Sequence, residues 1–135
     1  MTTIGEAADL ITKRFITQWG SETIFALPNK EFAKDDTVTE WVRLSIKNLD
    51  ADQETLGGVN KRKFEYKGII FIQIFVELNT GTKRAYKIVQ KVRDIFEGVQ
   101  FNNIEVDSVS ATEIGEDGKW FQIVTESHFT YHATK

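Results

Sequence analysis

The chain contains no cysteine, one proline, one methionine and two histidines among its 135 residues. Without cysteine there can be no disulfide, no thiolate metal site and no cysteine nucleophile, which fits a cytosolic protein. The longest apolar run, Gly68 to Val76, is interrupted by Gln73. It falls far short of the roughly twenty residues that a membrane-spanning helix needs. The opening residues MTTIGEAADL lack the basic-then-apolar order of a signal peptide. Positive charge is not in excess either. The net charge of −3 gives no global reason to expect nucleic-acid or anionic-membrane binding. Internal repeats and low-complexity segments are also missing. What is there is a hydrophobic content of 41%, too high for disorder. The length suits one domain with a sizeable core.

The chain reads as organised around Phe64 to Asn79, FEYKGIIFIQIFVELN, rich in Ile, Phe, Tyr and Val and free of proline. Such residues fit a pleated, half-buried surface. Phe64, Tyr66, Gly68, Ile70, Ile72, Ile74 and Val76 share one apolar face. Glu65, Lys67, Ile69, Phe71, Gln73, Phe75 and Glu77 share a face that is apolar only in its middle. The pattern predicts a strand of about 50 Å, longer than its sheet. It would be covered on both faces at its centre and project at its start.

Residues 3 to 19 read as a helix. Thr2 or Thr3 serves as N-cap, with Glu6 placed for a capping box, and Gly20 as C-cap. Ile4, Ala7, Ala8, Ile11, Phe15 and Trp19 form its apolar stripe, which is ordinary core packing. Thr23 to Leu27 is a short apolar stretch that ends at a Pro28-Asn29 turn. Residues 30 to 39 look like a polar loop. Asp35 and Asp36 there are neighbouring aspartates of the usual solvated kind, with no further ligand spaced to help them hold a metal. Trp41 to Leu49 alternates as a strand, with Val42, Leu44 and Ile46 inward and Trp41, Arg43, Ser45 and Lys47 on a wetter face. Residues 50 to 62, DADQETLGGVNKR, form a polar linker that joins this strand to the long one as an extended hairpin. A second helix runs from about 82 to 97 on Ala85, Ile88, Val89, Val92, Ile95 and Phe96, and Gly98 stops it. Phe101 to Thr112 and Lys119 to Tyr131 form a final hairpin across Gly115-Glu116-Asp117-Gly118. The order predicts a single-domain α+β fold, residues 1–135. Its sheet is mainly antiparallel or mixed, built from long hairpins and flanked by two amphipathic helices on one face.

A search for chemistry comes back nearly empty, so no catalytic, cofactor or metal residues are expected. His128 and His132 share a strand face but lie about 13 Å apart, too far to chelate one ion. No serine sits in a GxSxG elbow. Gly81 lacks the companion glycines of a phosphate cradle. Glu105, Asp107 and Glu113 occupy odd positions of one strand, the look of a solvated face. Lys61, Arg62 and Lys63 form a small basic cluster beside Phe64 and Tyr66. Cations next to aromatics suit single-stranded nucleic acid, but three charges on an acidic chain fit a solvated or protein-facing cluster better.

Several local patterns, taken in order, resemble the small tail terminator proteins of tailed siphophages. They are the N-terminal amphipathic helix, Leu27-Pro28-Asn29 and the strand Gly68 to Phe75. Gly81 then leads into the helix carrying Ala85, Val89, Val92 and Phe96, and Gly118-Lys119-Trp120 turns into an aromatic strand. The resemblance covers most of the chain. It implies a virion assembly protein, made in the host cytoplasm and built into the tail. Such proteins form a hexameric ring on the tail tube, stop its polymerisation and face the head-completion proteins. No enzymatic activity, cofactor, membrane or sequence-specific nucleic-acid contact is implied. A ring needs a patch that meets a different patch on its neighbour. Asp50, Asp52, Glu54, Lys61, Arg62, Lys63, Phe64 and Tyr66 are the candidates for a subunit or partner interface. Two other readings predict different things. A connector or tail-tube component forms open stacks. An enzymatic or small-molecule-binding domain has a pocket lined by His128, Glu126 or Asp107.

Overall fold

The computed structural model describes residues 2–32 and 37–135; Asp35 and Asp36 lie outside the described residues. Helix α1 spans Ile4–Trp19. The Thr3 hydroxyl accepts the Glu6 backbone N–H at 3.1 Å, and Gly20 ends the helix at φ 59°. Helix α2 spans Lys83–Phe96. Both are amphipathic. Ala7, Ile11, Phe15 and Trp19 of α1 join Ala85, Ile88, Val89, Val92, Ile95 and Phe96 of α2 in one core.

The strands are β1 (Ile24–Ala26), β2 (Glu40–Gln53), β3 (Lys63–Glu77), β4 (Gln100–Phe101), β5 (Ile104–Asp117) and β6 (Trp120–Thr134). They form one six-stranded sheet in the order β1-β2-β3-β6-β5-β4. Only the β1–β2 pair is parallel. The sheet is thus mixed, and the fold is α+β with both helices on one side. Val42 and Leu44, with Ile70, Ile72, Ile74, Val76, Ile123 and Phe129, fill the space beneath the helices. Small buried polar side chains sit among them. Thr125 Oγ1 donates to the Ile72 carbonyl at 3.0 Å, so its burial leaves no unpaired hydroxyl proton.

The long strand departs from expectation in an instructive way. It does not outrun its sheet: β2 and β6 accompany β3 along its whole length. An unpaired strand would leave bare backbone groups, whereas neighbours of equal length satisfy them. What runs out is the helical cover. The second face of β3 is not covered at its centre either. Ile69, Phe71 and Gln73 are only half-buried there, and Phe75 alone is fully enclosed.

Other boundaries shift too. Strand β2 continues through Gln53, so the connecting loop is 54–62 rather than 50–62. The last hairpin is also longer, with Asp117 paired to Trp120 across Gly118-Lys119. Gly118 takes φ 61° at the first turn position, where glycine is favoured. Trp41, expected on a wetter face, is 4% exposed. It stacks between Phe75, at 4.2 Å, and Phe32, at 5.0 Å, in a second small core that includes Ala26 and Trp120. Phe32 and Val38, from a stretch whose sequence reads as merely polar, pack against this core.

Candidate interaction surface

The loop end of β2, β3 and β6 brings the predicted interface residues together. A register shift between Asn48 and Asp50 decides how they face. Before it, Arg43, Ser45 and Lys47 pair with Gln73, Phe71 and Ile69 on the face away from the helices. After it, Asp50 pairs with Lys67 and Asp52 with Glu65 on that same face. The extra residue is Leu49. Strand side chains alternate with period two, so one inserted residue moves every later side chain to the other face. Gly68 lies at this point. A Cβ there would meet the Phe129 ring at 2.4 Å and the Lys47 carbonyl at 2.6 Å, so only glycine fits.

The open face therefore carries a charged network. Lys67 Nζ lies 3.1 Å from Glu65, and His132 Nε2 lies 3.5 Å from both Glu54 and Glu65. The hydrogen bond from Lys67 holds the Glu65 carboxyl below its ordinary range, and the same bond raises Lys67. The opposite face is aromatic. Tyr66 stacks on Tyr131 at 5.2 Å and on Phe64 at 6.4 Å. Lys135 Nζ sits over both the Phe64 and Tyr66 rings, a cation–π contact. Burial pushes the Tyr131 phenol up. A cavity of about 370 Å³ opens here between Tyr66, Tyr131 and the start of α1.

The three basic residues are not equivalent. Arg62 is half-buried and tied to the C-terminus. Its backbone exchanges hydrogen bonds with Lys135, and its Nε donates to the Lys135 carbonyl at 3.3 Å. Lys61 and Lys63 are exposed. The loop holds its shape through Thr55, whose hydroxyl accepts the Lys63 N–H at 2.9 Å. At its tip Leu56 is 93% exposed and Val59 76% exposed. Both are apolar side chains in water, and sequence reasoning passed over them because a run of polar neighbours masks them. Ile69, Phe71 and Val124 add half-covered apolar area to the open face.

Of the residues named for an enzymatic site, Glu126 and His128 share the open face of β6, with Glu126 half-buried. Asp107 and His128 are exposed. The cavities beside Tyr66, Trp120, Arg84 and Ile16 are lined by other side chains. Glu113 stays exposed as predicted but does not share the face of Glu105 and Asp107. A register shift between Val106 and Val109 turns it to the helix side, opposite Ile123. There it accepts a hydrogen bond from the Tyr86 hydroxyl, which raises the Tyr86 phenol above its ordinary value.

A family model for phage tail terminator proteins matches residues 6–126. The chain belongs to the phage tail terminator family. It is a structural component of a phage tail, and its family is one of structural proteins rather than enzymes. Twelve chains of solved structures match it. One has a TM-score of 0.65 at 13% identity and covers 91% of this chain and 94% of its own, a likeness of fold alone. No curated protein matches. Among the described residues of this tail terminator, no helix is long and apolar enough to cross a membrane.

Proposed function

We propose that this tail terminator, a single domain over residues 1–135, caps the tail tube as a homohexameric ring. It stops tube polymerisation there and forms the tail side of the head–tail joint. Its partners are other copies of itself, the tail-tube protein and a head-completion or connector protein. It is built into the virion tail after assembly in the host cytoplasm. The observation that carries this reading is the uncovered loop end of β2, β3 and β6, with Leu56 and Val59 held in solvent. A ladder whose charged outer face is open, with an apolar loop tip standing in solvent, gains most by burying that surface against another chain. The surrounding charges of Asp50, Asp52, Glu54, Lys61 and Lys63 set register and encounter rate more than affinity. A net charge of −3 per subunit suits a channel through which DNA slides, because phosphates are not gripped there.

Light scattering over a wide concentration range, paired with a tube-elongation assay, tests the reading. A closed six-subunit species that halts elongation of purified tube protein is expected. Open-ended growth of this chain by itself would favour a tube component instead. Tube elongation that continues unhindered overturns the terminator role. Replacing Leu56 and Val59 with Ser, or Lys61, Arg62 and Lys63 with Ser, is expected to weaken self-association while circular dichroism stays unchanged.

A further inference from the structure

We propose that Glu54, Glu65 and His132 form a binding site for one zinc-type divalent cation. Nothing in a structural role in the tail requires such a site, and the sequence pattern argued against any metal. The three ligand atoms all lie within 4.8 Å of one another. His132 Nε2 is 3.5 Å from Glu54 Oε1 and 3.5 Å from Glu65 Oε2. An ion bound at about 2.0–2.2 Å by tetrahedral nitrogen and oxygen donors needs those donors about 3.4 Å apart. Both carboxylates thus stand near that spacing from the imidazole nitrogen, and the two carboxylates lie within 4.8 Å of each other.

The donor chemistry selects the ion. Two carboxylates and one imidazole match the borderline preference of zinc, whereas magnesium and calcium take oxygen donors alone. Two negative charges balance a dication, and the fourth position is left for water. Glu54 opens the loop that follows β2, Glu65 lies on β3 and His132 on β6, so the ion would tie the loop to two neighbouring strands at the sheet's loop end. The surroundings support the geometry. Lys67 Nζ binds the other oxygen of Glu65, Oε1, at 3.1 Å and fixes the carboxylate's orientation. The Asn103 amide donates to the His132 carbonyl and holds that residue's backbone. The same lysine opposes the ion by charge, so the site binds less tightly than it would without it.

Competition titration of the full chain against a fluorescent zinc chelator, with native mass spectrometry for stoichiometry, tests the site. One Zn²⁺ per chain is expected, undisturbed by millimolar Mg²⁺. His132→Ala and Glu65→Gln each weaken binding by more than about tenfold, and Glu54→Gln does the same. Lys67→Met tightens it several-fold, an effect that a merely structural role for these residues does not produce. His128→Ala, on the same face four residues away, leaves it unchanged. No saturable one-to-one binding in the wild type overturns the proposal. So does a His132→Ala protein that binds as the wild type does, or a His128→Ala protein that loses the ion. Circular dichroism checks the fold of each variant. Should one ligand variant misfold, either of the others decides the matter.

Discussion

The same three strands, β2, β3 and β6, end in two different worlds. At one end Val42, Ile74 and Ile123 lie under the helices while Trp41, Phe75 and Trp120 close the other face. At the other end residues 50–53 are exposed throughout, and Phe64 and Tyr66 are only half-buried. Hydrogen bonding does not distinguish the two ends, since the ladders run unbroken through both apart from the shift at Leu49. Burial does. Each fully buried large apolar side chain contributes roughly 1.5–3 kcal/mol, so the covered end holds most of the fold, and the loop end contributes chiefly through Tyr131 on its inner face. Pairing and cover are separate requirements. A protein that must join others can meet the first within its own chain and leave the second to a partner.

The largest effect that sharpens this contrast is expected at Phe15, which is fully buried and stacked on Trp19 at 5.1 Å. Phe15→Ala should cost about 3–5 kcal/mol in urea unfolding, and Tyr66→Ala at the open end less than half as much. Equal losses at the two sites would break the comparison. Next comes Gly68→Ala, at the boundary between the ends. Its Cβ would press on both the Phe129 ring and the Lys47 carbonyl, for a loss of about 1–3 kcal/mol. Adding Phe129→Leu should restore only part of it, because the Lys47 carbonyl does not move aside.

A smaller effect is expected at Arg84, whose guanidinium forks onto both oxygens of Glu40, at 2.7 and 2.8 Å, and ties α2 to the covered end of β2. The hydrogen bonds to Glu40 raise the Arg84 pKa above its already high value, so the pair persists at every pH at which Glu40 is ionised. The group is half-exposed, so Arg84→Met should cost only about 1 kcal/mol, read as a small fall in the urea midpoint.

The smallest effect is a titration. Tyr86 is held above its ordinary 10.0 by its hydrogen bond to Glu113. A group whose folded pKa is raised stabilises fully below the unfolded value and loses that contribution as pH rises through the folded one. In Glu113→Gln, phenolate absorbance should show one tyrosine titrating nearer to 10.0. The alkaline loss of stability that this group contributes should vanish as well, because its folded and unfolded values then coincide. An unchanged titration would mean that this tether between α2 and β5 is absent in solution.

Much of this could be read along the chain because it is decided locally. The Thr3 cap, the stop at Gly20, the stripe of α2 and the alternation of β3 each depend on residues within a few positions of one another. The resemblance to tail terminators rested on the same local patterns in order, and the family match bears it out. The candidate surface was half legible. Its residues do gather at one end, but no local pattern marked Leu56 and Val59 as exposed apolar side chains or Arg62 as bonded to Lys135.

Sequence alone determined which segments are helices and which are long strands, and where the helices stop, because propensity, periodicity and capping act over a few residues. Tertiary structure decided the rest. It made β1 parallel to β2, buried Trp41 between Phe32 and Phe75, and turned Asp50, Asp52 and Glu113 to faces their spacing alone does not reveal. It also brought Glu54 of the loop after β2 together with Glu65 of β3 and His132 of β6. These outcomes depend on register, and register is set by the partner strand: one residue of bulge reverses every side chain beyond it.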